Sequence, residues 1–216
     1  MTDKCIVWDL DDTLYAERDF VHSAFQEIIR RFPMVSIAYD AESLTGMTLH
    51  GKKPMELLVE NFSMFKKEEL LTIYRNHHPN IQLKEHSLEC LEHFKQIGHK
   101  QVLVTDGRSI TQRNKIKALG IESFFDDIFI SEERGWCKPD IQIYNKIASD
   151  FPAGKFFVIA DNPTKDFVTP NALGWTTVML LAMADNVHGQ NLPDDNNYHP
   201  SIQISTLASL IAIVNA

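Results

Sequence analysis

Residues 6–15 read IVWDLDDTLY, so an apolar run stops abruptly at a group of carboxylates. This pattern is typical of a buried strand whose end opens onto a polar site. In an extended chain the side chains of Asp9 and Asp11 point to the same side. Because like charges repel unless a cation or a shared proton relieves them, this pair predicts a chemical site more than a structural one.

The composition narrows the possible functions. The chain has 216 residues, enough for one large domain or for one domain that carries an insertion. Its formal net charge of -8 argues against binding of nucleic-acid polymers or anionic membranes, which usually needs a broad basic surface. Three scattered cysteines form no CxxC pair, which argues against a disulfide scaffold or a zinc site.

The N-terminal residues lead directly into the predicted strand, without the apolar core of a signal peptide. No apolar run approaches the roughly 18 residues of a membrane span. We therefore expect a cytoplasmic protein, either a monomer or a homodimer.

The organisation of the chain changes near residue 85. Apolar residues recur at helical spacing from Phe20 to Phe32 and from Met55 to Tyr74, with no strand signal between. Further along, helices alternate with apolar strands at residues 101–105, 127–130, 156–160 and 176–180, and a final strand and helix lie within 202–214. This alternation predicts an α/β fold with a doubly wound parallel sheet.

The same pattern divides the chain into two predicted domains. Residues 1–15 and 85–216 form an α/β core domain, and residues 16–84 form an inserted α-helical cap domain. Residues 185–200 are polar and rich in Asn, Asp, Gly and Pro, so we expect a mobile surface loop without a role in the chemistry.

Polar residues follow several of the predicted strands, and parallel sheets bind ligands at the carboxyl ends of their strands. Converging acidic oxygens suit a hard cation, and Mg2+ is the usual choice beside a phosphate. The Thr105 hydroxyl can donate to a phosphate oxygen, and the amides of Asp106 and Gly107 open a helix whose N-terminus favours anions. Lys138 would add positive charge.

Four segments, taken in order, resemble the four motifs of the haloacid dehalogenase superfamily. They are the DLDDT run from Asp9, Thr105 after an apolar strand, Lys138 before a proline, and Asp161 with Asp166. The resemblance spans nearly the whole chain. It implies a Rossmann-like core with a small helical cap of the C1 type.

The resemblance also implies a role for each motif. Asp9 resembles the nucleophile that forms an aspartyl-phosphate, and Asp11 the general acid and base. Lys138 and Thr105 would bind the phosphoryl group. The Mg2+ ligands would be Asp9, the backbone carbonyl of Asp11, Asp161 and Asp166. True dehalogenases of the family lack an acid two residues after the nucleophile, so Asp11 favours phosphoryl transfer.

Two positions depart from the family pattern. Ala160 stands where Gly often precedes the last motif, and Asp106 stands where Asn is common. The Asp106 side chain adds negative charge beside a phosphate site, which puts substrate affinity in question.

Within the cap, residues 46–53 read GMTLHGKK and predict a glycine-bracketed loop facing the catalytic crevice. We expect His50, Lys52 and Lys53 to contribute to substrate binding.

The leading functional hypothesis is a Mg2+-dependent phosphatase that hydrolyses a small phosphomonoester, such as a sugar phosphate or a nucleotide. A phosphomutase on the same framework is an alternative that the sequence does not separate from it. A receiver-like module also clusters acids, a Thr and a Lys around a phosphorylated Asp, although in a different order. A non-catalytic scaffold that binds phosphate is the third alternative.

Overall fold

The computed structural model describes residues 3–182 and 186–216 and contains a single six-stranded sheet. In chain order the strands are β1 (Lys4–Trp8), β2 (Lys100–Thr105), β3 (Asp127–Ile130), β4 (Lys155–Ala160), β5 (Thr176–Leu180) and β6 (Ile202–Ile204). All neighbouring strands are parallel, and the spatial order is β3-β2-β1-β4-β5-β6. The predicted doubly wound α/β fold is confirmed.

The helices are α1 (Glu17–Arg31), α2 (Ala41–Leu49), α3 (Pro54–Asn61), α4 (Lys67–Asn76), α5 (Ser87–Gln96), α6 (Ser109–Leu119), α7 (Ser131–Arg134), α8 (Ile141–Asp150), α9 (Val168–Ala172) and α10 (Leu210–Asn215). Short 3-10 turns cover Pro33–Ile37, Glu122–Phe124, Asn196–Tyr198 and Leu207–Ser209. Within the ranges that the structure describes, no helix is long and apolar enough to cross a bilayer.

Strand β1 lies at the centre of the sheet because apolar side chains cover both of its faces. Ile6 and Trp8 join one buried cluster with residues of α5 and α10, while Cys5 and Val7 join another with residues of α8. Strands buried on both faces need such continuous apolar runs. The strand order reverses beside β1, so the ends of β1 and β4 border the crevice in which doubly wound sheets bind ligands.

Helices α1 to α4 pack around an apolar cluster of their own. Between α3 and α4 the chain turns, whereas the sequence predicted an unbroken helical pattern from residue 55 to 74. Phe62 and Phe65 lie in this turn with their rings 5.4 Å apart, and Phe65 also packs on Phe32 at 4.8 Å. Phe62 and Phe65 therefore pack in an aromatic cluster within a turn, although their spacing of three residues matches a helix.

The predicted loop at residues 46–53 is wrong in its first half, because α2 runs through Gly46 to Leu49. The helix begins at Asp40, whose carboxylate accepts a hydrogen bond from the Ser43 amide at 2.6 Å. Such capping stabilises a helix start, and burial of Leu44 anchors the helix in the cap cluster. The turn follows at Gly51, whose φ of 69° is readily adopted by glycine.

The chain enters and leaves the helical insertion side by side. Tyr15 forms a bridge with Leu83, and the Lys84 amide donates to the Leu14 carbonyl at 2.8 Å. This geometry supports boundaries near residues 15 and 84, and the division into two domains stays a prediction.

The helical insertion also contacts the core through α6. The Thr111 hydroxyl donates to the Arg75 carbonyl at 3.1 Å, and the Asn114 amide donates to the His77 carbonyl at 3.2 Å. The C-terminal end of α4 therefore docks on one face of α6.

We predict that Gln101→Ala lowers the free energy of unfolding by about 3 kcal/mol. Gln101 is fully buried, accepts from the Trp8 indole at 3.0 Å and donates to the Leu91 carbonyl at 2.9 Å. The variant leaves both partners unpaired, at a cost of about 1 to 3 kcal/mol each. Denaturant unfolding measures the effect, with the exposed Gln96→Ala as the matched control. Equal losses in the two variants would contradict it.

Candidate active site

Three buried carboxylates meet at the ends of two neighbouring strands. Asp9 follows β1 and Asp161 follows β4, and the Asp9 amide donates to the Ile159 carbonyl at 2.9 Å. Asp166 arrives from the turn after β4. Each residue is at most 8% exposed, and carboxylate oxygens of the three lie within 4.8 Å of one another. The fold thus brings together three of the predicted metal ligands.

The electrostatics of this cluster favour a bound cation. Burial, together with the charges of Asp9 and Asp166, raises the pKa of Asp161 to about 9. Burial also raises the pKa of Asp9 to about 6, although Lys138 opposes this shift. Concentrated carboxylate oxygens of this kind fit a hard divalent cation, which offsets their mutual repulsion.

Lys138 is the cationic partner of the cluster. Its ammonium group donates to Asp9 and lies 2.8 Å from a carboxylate oxygen of Asp166. Burial alone lowers the pKa of a lysine, but the charges of Asp166 and Asp9 raise the pKa of Lys138 well above its ordinary value. The lysine is therefore positively charged at neutral pH and lies beside the predicted nucleophile.

Asp11 lies apart from the three clustered acids and has donors of its own. Lys115 donates to one carboxylate oxygen at 2.6 Å, and the Tyr15 hydroxyl donates to the same oxygen. Gln112 donates to the other oxygen at 2.8 Å. Burial by itself raises the pKa of Asp11, but the charge of Lys115 and these hydrogen bonds lower the pKa below its ordinary value.

Thr105 is buried at the end of β2, as predicted for a phosphate-binding hydroxyl. Its oxygen accepts a hydrogen bond from the Gln112 amide at 2.5 Å. A hydroxyl that accepts one hydrogen bond still has its own proton to donate. The Gln112 amide thus connects Thr105 with Asp11.

The extra negative charge of Asp106 is compensated. One of its carboxylate oxygens accepts from the Lys138 amide at 3.1 Å, and the other accepts from the Lys165 ammonium at 3.3 Å. The acid therefore holds two lysine residues in place around the pocket.

The N-terminus of α6 contacts other groups than the sequence predicted. The Gly107 amide donates to the Ser131 hydroxyl at 2.9 Å, and the Ser109 amide donates to the Glu132 carboxylate at 2.8 Å. The Gly107 amide therefore has a protein acceptor in this structure, and phosphate binding by the Asp106 and Gly107 amides stays a prediction. Gly107 still has a steric role, because a Cβ at this position would approach the Gln112 side chain to 3.2 Å.

The pocket above the acids has a volume of about 80 Å³. Its described lining comprises Asp9, Asp11, Glu17, Thr105, Asp106, Asp161, Asn162, Lys165 and His188. Burial and the charge of Asp11 raise the pKa of Glu17 to about 8. The His188 imidazole lies 3.9 Å from the Glu17 carboxylate. These two side chains lie beside the predicted nucleophile and proton donor.

The cap-loop residues lie elsewhere. Lys52 and Lys53 line a separate surface pocket of about 380 Å³ with residues of α3, and Lys53 pairs with Glu56 at 3.6 Å. The exposed His50 directly follows α2. The structure therefore does not bring His50, Lys52 or Lys53 into the described lining of the pocket.

The polar loop at residues 185–200, whose first residue lies outside the described ranges, contacts the site. The Val187 amide donates to the Asp12 carboxylate at 2.8 Å, and the Gln190 side chain donates to the Asp161 carbonyl at 2.8 Å. The loop therefore contacts site residues directly, and the expectation that it has no role in the chemistry stays a prediction. Its composition signals a loop but not where that loop folds.

Sequence reasoning missed several residues of the site. Lys165 lies within the last motif and could have been noticed as a second cation. Glu17, Gln112, Lys115 and His188 carry no local signal, because helical and loop positions of this kind are usually exposed.

Comparisons with known proteins identify the family of this chain. A family model described as haloacid dehalogenase-like hydrolase matches residues 6–180. The chain is 27% identical to a glyceraldehyde 3-phosphate phosphatase of Methanocaldococcus jannaschii, over 98% of this chain and 96% of that one. A protein of the same description from Methanopyrus kandleri is 24% identical, over 82% and 83% of the two chains.

Among solved structures, magnesium-bound YfnB from Bacillus subtilis covers all of both chains with a TM-score of 0.71 and 18% identity. At this identity the likeness shows a shared fold.

We predict that Mg2+ stabilises the wild-type protein and that Asp161→Asn removes most of this effect. A cation that binds only the folded state adds about 2.7 kcal/mol at 100 times its Kd. Thermal melting with and without Mg2+ measures the shift, and Asp194→Asn, at an exposed site, is the matched control. An unchanged shift in Asp161→Asn would exclude this carboxylate as a ligand.

Proposed function

Because the chain belongs to the haloacid dehalogenase-like hydrolases, we propose that it is a Mg2+-dependent phosphatase that hydrolyses a small phosphomonoester through an aspartyl-phosphate. The observation that carries this proposal is the buried group of Asp9, Asp161, Asp166 and Lys138 beside a separately held Asp11. The group offers a nucleophile, a cation site and a proton-transfer residue in one pocket.

In the first step, a carboxylate oxygen of Asp9 attacks phosphorus while the bond from phosphorus to the ester oxygen breaks. Lys138 donates to Asp9 and favours its ionised, nucleophilic form, which opposes the burial that raises its pKa. Asp11 in its protonated form, which is the minor form in the free protein because Lys115 lowers its pKa, gives its proton to the departing alcohol oxygen. Lys138 and the Thr105 hydroxyl stabilise charge on the transferred phosphoryl group.

In the second step, water attacks phosphorus and the bond between phosphorus and Asp9 breaks. Asp11, now a carboxylate, takes a proton from the attacking water. Inorganic phosphate forms, and Asp9 and Asp11 return to their starting states.

Asp9, Asp161 and the backbone carbonyl of Asp11 would hold the cation, with Asp166 assisting through water or by orienting Lys138. When bound, Mg2+ would neutralise charge on the phosphoryl oxygens and help to orient them.

The dimensions and lining of the pocket support a small, hydroxylated substrate. Beyond the phosphate site the described pocket presents Glu17 and His188, and no Phe, Tyr or Trp side chain for stacking a base. The two archaeal relatives are described as glyceraldehyde 3-phosphate phosphatases. We propose a triose phosphate of this kind as the first substrate to test, with sugar phosphates next and nucleotides least favoured.

We predict that purified protein hydrolyses p-nitrophenyl phosphate and glyceraldehyde 3-phosphate only with Mg2+. Asp9→Asn should lower kcat by at least about 1000-fold, since the covalent step then lacks its nucleophile. Phosphate release measures both effects, and Asp194→Asn serves as the control.

Other outcomes would identify the alternatives. Activity that survives chelation or Asp9→Asn would reject the proposal. A phosphoryl group delivered to a sugar hydroxyl would indicate a mutase. A long-lived aspartyl-phosphate without turnover would indicate a receiver-like module.

We predict that Glu17→Ala raises KM for glyceraldehyde 3-phosphate by about 10-fold, as expected for loss of one hydrogen bond between the carboxyl, which is mostly uncharged at neutral pH with a pKa of about 8, and a substrate hydroxyl. KM for p-nitrophenyl phosphate, which lacks that hydroxyl, should change little. Lys52→Ala is the comparison variant, because Lys52 lies in the separate surface pocket. A raised KM for glyceraldehyde 3-phosphate in Lys52→Ala but not in the Glu17 variant would contradict this prediction. It would favour the cap-loop residues His50, Lys52 and Lys53 as the substrate contacts.

A further inference from the structure

Helix α6 contacts the helical insertion and the catalytic turn at the same time. Thr111 and Asn114 hold backbone carbonyls at the end of α4. Gln112 and Lys115, one turn apart and therefore neighbours on the helix surface, both donate to Asp11. The position of α6 therefore affects both the docked insertion and the Asp11 carboxyl.

Lys115 is an unusual lysine because its side chain is only 4% exposed. Its ammonium group lies 2.6 Å from Asp11 and over the Phe20 ring, 4.4 Å from the ring centre. Phe20 belongs to α1, the first helix of the insertion. A buried lysine is costly to leave unpaired, so Lys115 has a strong energetic reason to keep its contact with Asp11.

The donors around Asp11 come from different directions. Lys115 and Tyr15 contact one carboxylate oxygen, and Gln112 contacts the other. The Gln112 amide also donates to Thr105, so the orientation of Asp11 is coupled to the proposed phosphate site. A carboxyl held at both oxygens has little freedom to rotate.

We propose that Lys115 is a positioning residue, which holds the Asp11 carboxyl where it can transfer a proton between the pocket and the substrate. This inference rests on the proposed function, since it requires Asp11 to act as the proton donor. Lys115 does not touch the reacting atoms and acts only through Asp11. Phe20 supports it by covering the buried ammonium group from the side of the insertion.

Misplacement of Asp11 affects alkyl and aryl phosphate esters differently, whereas a general loss of stability affects both alike. When the ester bond of an alkyl phosphate breaks, the departing oxygen needs a proton from Asp11. The aryl ester 2,4-dinitrophenyl phosphate releases 2,4-dinitrophenolate, which is stable enough to leave without a proton. Misplacing Asp11 should therefore slow alkyl ester cleavage far more than aryl ester cleavage. kcat/KM reports on the steps up to formation of the aspartyl-phosphate, which include cleavage of the ester bond. It therefore measures the difference between the two kinds of ester.

The test compares Lys115→Met with Lys117→Met, an exposed lysine on the same helix. In Lys115→Met, kcat/KM for glyceraldehyde 3-phosphate should fall about 100-fold, the scale of a 1 Å misplacement. In the same variant, kcat/KM for 2,4-dinitrophenyl phosphate should fall by less than about 5-fold, well below the loss expected for the alkyl ester. Lys117→Met should match the wild type with both substrates.

A double-mutant cycle with Asp11→Asn tests whether the effect passes through Asp11. Once Asp11→Asn has removed the proton donor, adding Lys115→Met should cost little further kcat/KM for the alkyl ester. Equal losses with both substrates, or additive losses in the cycle, would overturn the positioning role.

Two further results separate the possible failures. If Asp11→Asn alone cleaves the alkyl ester normally, the proposed function fails at its acid step. If Lys115→Met does not fold, Tyr15→Phe removes one donor to the same oxygen while keeping the ring. This variant should lose activity several-fold with the alkyl ester only, and a uniform loss would overturn the proposal.

Discussion

The repulsion among three buried carboxylates at and after the ends of β1 and β4 is the constraint that the rest of the site must offset. Asp9, Asp161 and Asp166 are each almost inaccessible to water, and their carboxylate oxygens lie within 4.8 Å of one another. Such a group is stable only with positive charge beside it. Lys138 supplies part of this charge, while burial and the charges of Asp9 and Asp166 still raise the pKa of Asp161. The remaining negative charge on the three carboxylates favours binding of a divalent cation, and the cation together with Lys138 would favour binding of a phosphate.

Three lysines divide the compensation of the acidic pocket between them. Lys138 pairs with Asp9, Lys165 with Asp106, and Lys115 with Asp11. They come from segments far apart in the chain, so the local charge balance is achieved only by folding. An acidic protein thereby creates a site for an anion without a basic surface. The pairing also separates the two carboxyl groups of the opening motif, since Asp9 and Asp11 have different cationic partners.

Sequence patterns predicted the core well for a physical reason. Strands buried on both faces need unbroken apolar runs, and the helices between them need one apolar stripe, so burial leaves a periodic record. The first motif, Thr105 and Asp161 lie at or directly after strand ends, and Lys138 lies between α7 and α8. The helical insertion was less predictable, because Phe62 and Phe65 keep helical spacing while lying in a turn, and Gly46 lies within a helix.

The sequence by itself determined the fold class, the order of the four motifs and the acids at the strand ends, because these follow from local periodicity and polarity. The tertiary structure decided which residues surround those acids. Glu17 and His188 line the pocket, and Gln112 and Lys115 contact Asp11. All four come from helices and a loop whose local patterns resemble ordinary exposed segments. His50, Lys52 and Lys53 lie outside the described lining of the pocket for the same reason, since a charge pattern does not specify the direction in which a surface segment faces.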